Sequence, residues 1–159
     1  MPLVRPAGET DRDAVAALLT ASWGGTAVAA HGRLYDAATL PALVAVRDGQ
    51  LCGVLTYHLD ADGLEVVTLD AVPAGQGNGT ALLRAARDVA VDLGCARAWL
   101  VTTNDNVDAL RFYQRRGLRI SAVAPGAVAA ARALKPTIPE IGAYGIPIRD
   151  EITLETRVG

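Results

Sequence analysis

The sequence predicts a single α/β domain over residues 1–159, built on a mixed β-sheet flanked by helices, and three observations carry that expectation. Apolar runs between Ala42 and Val72 are separated by Asp-Gly pairs at 48–49 and 62–63, the pattern of consecutive antiparallel strands joined by tight turns. Beyond Gly79 the apolar residues change to a helical period, and helical and strand-like stretches then alternate, the order of βαβ units. At 51% hydrophobic content, 159 residues are enough to bury one sizeable core.

The elements follow in order. "PLVRPA" is a short strand, and "ETDRDAVAALLTASW" a helix with Thr10 as N-cap, Asp13 in its first turn, and Val15, Leu18, Leu19 and Ser22 on one face. "GGTAVAAHGRLYDAATLP" is interrupted by Gly24, Gly25 and Gly32 and is expected as a loop with a short helix overhanging a site. Three strands occupy "ALVAVRDGQLCGVLTYHLDADGLEVVTLDAV". A helix from Gly79 buries Leu82, Leu83, Ala86, Val89, Ala90 and Leu93, with Gly94 as a left-handed C-cap. "ARAWLVTT" is an apolar strand, "NDNVDALRFYQRR" a helix capped by Asp105 and stopped at Gly117, and "LRISAV" a further strand. "GAVAAARALKP" is a helix ended by Pro136, and the tail carries a last strand in which Ile152 and Leu154 alternate with Thr153 and Glu155. Parallel crossovers and antiparallel hairpins together require a mixed sheet.

The totals exclude several classes. A net charge of −2 leaves no electrostatic footprint for nucleic acid. No stretch approaches the ~20 uninterrupted apolar residues of a membrane span, and "MPLVRPAGET" lacks the pattern of a secretory leader, so a cytoplasmic protein without a membrane partner is expected. Cys52 and Cys95 stand far apart without CxxC or histidine spacing, which argues against a metal site and a disulfide framework; both read as small apolar residues.

Chemistry concentrates in "LDAVPAGQGNGTALLRAA", where Gly75, Gly77 and Gly79 precede a helix start. Bare backbone followed by unpaired helix N–H groups makes an anion cradle. A dinucleotide fingerprint would need its third glycine where Thr80 stands, and a P-loop would need a nearby lysine, so both common nucleotide loops fail. The segment resembles instead the pyrophosphate-binding motif of the GNAT superfamily of acyl-CoA N-acyltransferases. Ala71-Val72 ends the strand, the three glycines fill the Arg/Gln-Gly-x-Gly-x-Gly/Ala loop, and Thr80–Leu83 opens the helix as "TALL". Aligned through "GTALL", the Arg/Gln place falls on Ala74, with Gln76 serving in a shifted register, and the loop is about three residues shorter than the family pattern. A second segment, "NDNVDALRFYQRRGL", resembles the family's Asn-x-x-Ala-x-x-Phe-Tyr motif and following Gly-Phe, through Asn106, Ala109, Phe112, Tyr113, Gly117 and Leu118.

The resemblance implies a centrally splayed sheet and transfer of an acetyl group from acetyl-CoA to a primary amine of a small molecule or peptide, by direct attack in a ternary complex and without a metal. It implies Tyr113 as general acid for the departing thiolate, a pairing of comparable acidities. Asp70, Ala71, Val72, Gly75, Gln76, Gly77, Asn78, Gly79, Thr80, Asn106 and Tyr113 are the expected cofactor-binding positions, with Asp70 and Val72 lending backbone groups to pantetheine and Asn106 fixing its polar arm. Glu65 and Asp70 are the candidate bases, Glu65 preferred; on a regular strand an odd and an even position face opposite sides, so both reach one site only if a bulge intervenes. His58 is a further candidate base, against the commoner structural role of a lone strand histidine.

Other residues carry less. His31 and Tyr35 are candidate acceptor-pocket residues, against the plain reading of a loop. Arg84, Arg87, Arg115 and Arg116 are candidates for the adenosine phosphate, against solvated helix faces. Arg149, Asp150 and Glu151 either seal a pocket by an ion pair or shape a strand end. The last strand and the Ala-lined helix from Gly126 to Leu134 are the surfaces a homodimer would use. A non-catalytic acyl-CoA sensor is the rival reading, and a nicotinamide or flavin protein is disfavoured by Thr80.

Overall fold

The computed structural model describes residues 2–72 and 75–159. Along them run strand β1 (Leu3–Pro6), helix α1 (Arg12–Trp23), strands β2 (Ala27–Ala30), β3 (Arg33–Asp36), β4 (Ala42–Arg47), β5 (Gln50–Asp60) and β6 (Gly63–Ala71) and helix α2 (Asn78–Asp92). Strand β7 (Arg97–Thr103), helix α3 (Val107–Arg115), strand β8 (Arg119–Ala124), helix α4 (Val128–Leu134) and strand β9 (Glu151–Arg157) complete the order. This is an α/β fold of mostly antiparallel strands with four α-helices. No helix among the described residues is long and apolar enough to cross a membrane. The chain forms two compact units, one of the residues up to Thr26 with Asp36–Ala98 and Arg157–Gly159, the other of Ala27–Tyr35 with Trp99–Thr156.

In the first unit the strand order is β1-β4-β5-β6, every pairing antiparallel. Asp48 and Gly49 both take positive φ, 54° and 77°, the conformation that lets a two-residue turn follow the strand twist from β4 into β5. The next turn is centred on Ala61-Asp62, one residue ahead of the expected Asp62-Gly63, and Asp60 Oδ1 closes it by accepting the Asp62 N–H at 2.8 Å. Gly63 instead opens β6, where a Cβ would run into the carbonyl oxygen of Arg97.

Helices cover the two faces of these strands. On one side a Cβ at Gly53 would stand 2.9 Å from Leu82 Cδ1, so the glycine lets α2 settle against β5. Leu82, Leu83, Ala86 and Ala90 are buried there, while Leu93, expected in that face, is the C-cap and exposed. Gly94 at φ 73° donates to Val91 O and Cys95 N–H to Ala90 O, which ends α2 in a left-handed turn. The other face takes Val15 and Leu19 of α1. Burying side chains such as Leu19, Leu55, Leu64 and Leu82 contributes about 1.5–3 kcal/mol each. Thr10 is not the cap of α1. Its start is a 3-10 turn, Glu9–Asp11, closed by the Asp11 carboxylate, which accepts the Gly8 N–H at 2.7 Å and both guanidinium nitrogens of Arg5 at 2.6 and 3.0 Å.

In the second unit the order is β7-β9-β8, with Ile120 opposite Leu154 in an antiparallel pair. The crossover from β7 through α3 therefore does not bring β8 beside β7; it leaves a place that the last strand fills. Leu154 and Val128 are fully enclosed. The segment expected as a loop with a short helix is a hairpin of β2 and β3, turned at His31 and Gly32 with φ 41° and 78°, and its helical part shrinks to a 3-10 turn at Ala37–Thr39. Helix α4 packs on β2, and Lys135 Nζ donates to Ala27 O at 2.7 Å. Helix α3 is capped by Asn106, whose Oδ1 accepts the Ala109 N–H at 3.4 Å, and not by Asp105.

Candidate active site

The first unit carries the glycine loop. Gly75 and Gly77 lie at φ 83° and 82°, and a Cβ at either would meet nothing within 4 Å. Conformation rather than space demands glycine there. Gly77 is the N-cap of α2, and the first bond of that helix runs from Ala81 N–H to Gly77 O at 3.1 Å, so the N–H groups of Asn78, Gly79 and Thr80 stand ahead of it. Gly79 is therefore a first-turn residue rather than part of the loop. Asn78 is 1% exposed; its Oδ1 accepts from Arg47 Nη2 at 3.1 Å, and its Nδ2 donates to Cys52 O at 3.5 Å. The side chain thus fastens the helix start to the strands, and only its backbone faces the loop. Gln76 is exposed, while Pro73 and Ala74, the latter at the family's Arg/Gln place, lie outside the described residues.

Strand β6 holds both candidate bases. Thr56 is opposite Thr68 while Tyr57 is opposite Val66, so Val67 is one residue more than β5 can match. Val54, Thr56 and His58 share a face of β5, which is regular over this stretch, and their partners Asp70, Thr68 and Glu65 consequently share it too. The Thr56 and Thr68 hydroxyls meet at 2.7 Å on that face. The bulge that the sequence left open is present, and it puts Glu65 and Asp70 on one face of β6, with the Thr56–Thr68 rung between them. Glu65 is 2% exposed. Asp70 is pushed above the usual carboxylate range chiefly by burial, while hydrogen bonds from Trp23 and Ser22 hold it back. Val72 N–H donates to Cys52 O at 2.9 Å, so by alternation Ala71 is the residue whose N–H and C=O face away from β5. His58 Nε2 lies 3.4 Å from Asp60 Oδ2 and Arg84 is exposed.

The second unit carries the other motif. Tyr113 is 9% exposed and meets Phe112 edge to face at 5.2 Å. Asn106 Nδ2 donates to Thr102 Oγ1 at 3.1 Å, so both ends of that amide serve α3. Arg116 folds back over the Phe112 ring at 3.7 Å and donates to Phe112 O at 3.0 Å; Arg115 is exposed.

Two residues before Asn106 do unexpected work. Asn104 Oδ1 accepts the N–H groups of Arg149 and Asp150 at 2.9 and 3.0 Å, and its Nδ2 donates to Pro147 O. Asp105 is buried, accepting from Thr103 Oγ1 at 2.6 Å and from Ala143 N–H at 3.0 Å. Asp150 Oδ1 accepts the Gly126 N–H at 2.8 Å and the Arg149 side chain is exposed, so this charged stretch shapes a strand entrance. His31 and Tyr35 come together, with Tyr35 Oη 3.4 Å from His31 Nε2 and the His31 ring 5.2 Å from Trp99. Trp23 is the polar partner of Asp70 that no sequence motif marks.

A model of the acetyltransferase (GNAT) family matches residues 12–118. Two proteins of Bacillus subtilis (strain 168) are similar along nearly the whole chain: YdhI, 39% identical over 153 residues and 96% of both chains, and YxbD, 36% identical over 150 residues and 94% of both. Among solved structures, a Bacillus subtilis acetyltransferase in complex with CoA superposes with a TM-score of 0.75 at 19% identity, covering 100% of both chains. An IAA acetyltransferase from Bacillus cereus ATCC 14579 gives 0.73 at 22% identity, over 99% of this chain and 100% of the other. At these identities the two structures speak to the fold.

Proposed function

Because the chain belongs to the acetyltransferase (GNAT) family and is an acetyl-CoA-dependent acyltransferase, we propose that it acetylates a primary amine, of a small molecule or a peptide, by direct attack in a ternary complex. The left-handed pair Gly75 and Gly77 leading into the N–H groups of Asn78, Gly79 and Thr80 is the observation that carries this reading. It is a backbone anion cradle, suited to a diphosphate because the helix dipole adds to the N–H groups. The outward N–H and C=O of Ala71 suit the amides of a pantetheine arm.

When bound, acetyl-CoA supplies the activated acyl group, whose C–S bond breaks as the C–N bond to the amine forms. Tyr113 Oη gives its proton to the leaving sulfur. Glu65 or Asp70, on one face of β6, takes the proton that the amine nitrogen loses, directly or through water. Asn106 acts by holding the first turn of α3, on which Tyr113 is carried.

Thiol release measured over a panel of primary amines tests the reading. Tyr113→Phe is expected to lower kcat by about 10²–10⁴ with the affinity for CoA retained, the range for a lost general acid. Turnover of Tyr113→Phe at the wild-type rate overturns the role of Tyr113, and thiol release independent of any amine overturns amine acetylation.

A further inference from the structure

Arg47 closes β4, and it follows by two residues Ala45, the side chain that a Cβ at Gly53 would meet together with Leu82 of α2. It therefore stands on the face that α2 covers. Its guanidinium reaches the start of that helix, where Nη2 donates to Oδ1 of Asn78 at 3.1 Å. A guanidinium carries a fork of N–H donors and no acceptor. Among the described residues the bond to Asn78 is the one its side chain makes; Nε is enclosed without a partner, and no carboxylate forms an ion pair with it.

Such a cation is out of place in the free protein. Arg47 is half-buried, and an enclosed charge without a counter-ion costs folding free energy. Its position adds to the cost, because the peptide dipoles of α2 sum to about half a positive charge at the first turn, which Asn78 opens. Two positive fields thus converge on the N–H groups of Asn78, Gly79 and Thr80, unfavourable to each other and both favourable to an anion. Asn78 joins them, with its side-chain oxygen on the guanidinium and its backbone N–H in the cradle.

We propose that Arg47 is the cation of the glycine cradle: its charge, held at the first turn of α2 by Asn78, attracts the diphosphate of acetyl-CoA and compensates it once bound. The inference deepens the acetyl-CoA reading and rests on the cradle that Gly75 and Gly77 lead into. Arg47 takes no part in making or breaking bonds; it sets the affinity for the anionic linkage that carries the thioester.

Isothermal titration of the full chain with CoA, dephospho-CoA and pantetheine tests this. Dephospho-CoA keeps the diphosphate and lacks the ribose phosphate, whereas pantetheine lacks both. Arg47→Gln removes the charge and keeps an amide donor. Its Kd for CoA and for dephospho-CoA is expected to rise about tenfold or more, the scale of losing one partner of a desolvated charge pair, while its Kd for pantetheine stays. Arg47→Lys, which keeps the charge without the fork, falls between. An unchanged Kd of Arg47→Gln for dephospho-CoA overturns the proposal, as does a loss confined to CoA, which gives the charge to the ribose phosphate. Equal losses for every ligand overturn it too, because they mark a structural role, and so does Arg47→Lys binding no better than Arg47→Gln. If the wild-type chain binds dephospho-CoA no better than pantetheine, the cradle reading itself fails; if it binds it better and Arg47→Gln keeps that margin, the cradle stands and the role of Arg47 fails.

Discussion

The indole N–H of Trp23 donates to Oδ2 of Asp70 at 2.8 Å, tying the last residue of α1 to one of the two carboxylates that the β6 bulge brings onto a common face. Burial raises the affinity of Asp70 for a proton and the donors from Trp23 and Ser22 lower it, so the indole favours the ionised form of a half-buried carboxyl. Trp23→Phe removes one donor and raises the Asp70 value further. If Asp70 is the base, the acidic limb of the kcat/KM profile then moves to higher pH, and rates below the limb fall about tenfold, since a hydrogen bond to a charged group is worth about 1.5–3 kcal/mol. If Glu65 is the base, the limb stays and Glu65→Gln abolishes it.

Asp70 also makes a stability prediction of definite sign. Its folded value lies above the ordinary one, so the folded state binds the proton more tightly and stability declines as pH rises through that interval. Asp70→Asn removes the penalty. Its Tm at neutral pH is expected to equal or exceed that of the wild-type chain, and the two curves converge in acid; a Tm deficit at neutral pH together with parallel curves would contradict this.

Gly77 is left-handed with open space around it, so an added methyl group costs backbone strain and not crowding. Gly77→Ala is expected to lose about 1–2 kcal/mol in a denaturant titration and to weaken CoA binding as the cradle is re-aimed. Gly77→Asn, which tolerates that backbone region far better, retains most of the stability. Equal losses in the two variants would mean that conformation is not what fixes glycine at this position.

How much of this was legible follows from the reach of each interaction. The strands of the first unit and helices α2 and α3 could be read because Asp-Gly turns, alternation and helical periods are local. The β2–β3 hairpin could not, because a His-Gly pair is a weak turn signal and the positive φ of His31 is secured by Glu151, 120 residues away. Asp105 and Asn106 are both good N-cap types, and only the burial of Asp105 against Gly142 and Ala143 decides between them. The extra residue at Val67 shows only when β6 is laid against β5, which is why the positions of Glu65 and Asp70 stayed open. The glycines leading into α2 were legible as a loop before a helix start, but the inward turn of Asn78 depends on Arg47 and Cys52, which come from other strands.

The depressed value of Asp11, lowered to about 2 first by the Arg5 guanidinium and then by the Gly8 N–H, sets an acid window. The ordinary carboxylate value is ~3.9, so the contribution of this pair to folding is complete above ~4 and is lost as pH falls toward about 2. Asp11→Asn keeps an acceptor for the Gly8 N–H but loses the charge. The gap in Tm between wild type and Asp11→Asn is expected to be constant above the window and to close within it; a gap that persists unchanged in acid would remove Asp11 as its source.

Gly142 gives the sharpest steric test in the second unit. A Cβ there would overlap the Asp105 carboxylate and come within 2.7 Å of Ile148 Cγ1. Asp105 is in no position to yield, because Thr103 Oγ1 and Ala143 N–H hold its two oxygens at 2.6 and 3.0 Å. Gly142→Ala is therefore expected to destabilise by about 1–3 kcal/mol, the usual range for overpacking, and to loosen the segment that Asn104 and Asp105 pin down. Asp105→Ser shortens the obstructing side chain, and in that background the same substitution should cost measurably less. A double-mutant cycle on unfolding free energies reads the difference directly, with a coupling of about 1 kcal/mol or more expected for groups in contact. Simple additivity would show that the strain is relieved elsewhere, through movement of Ile148 or of the turn itself.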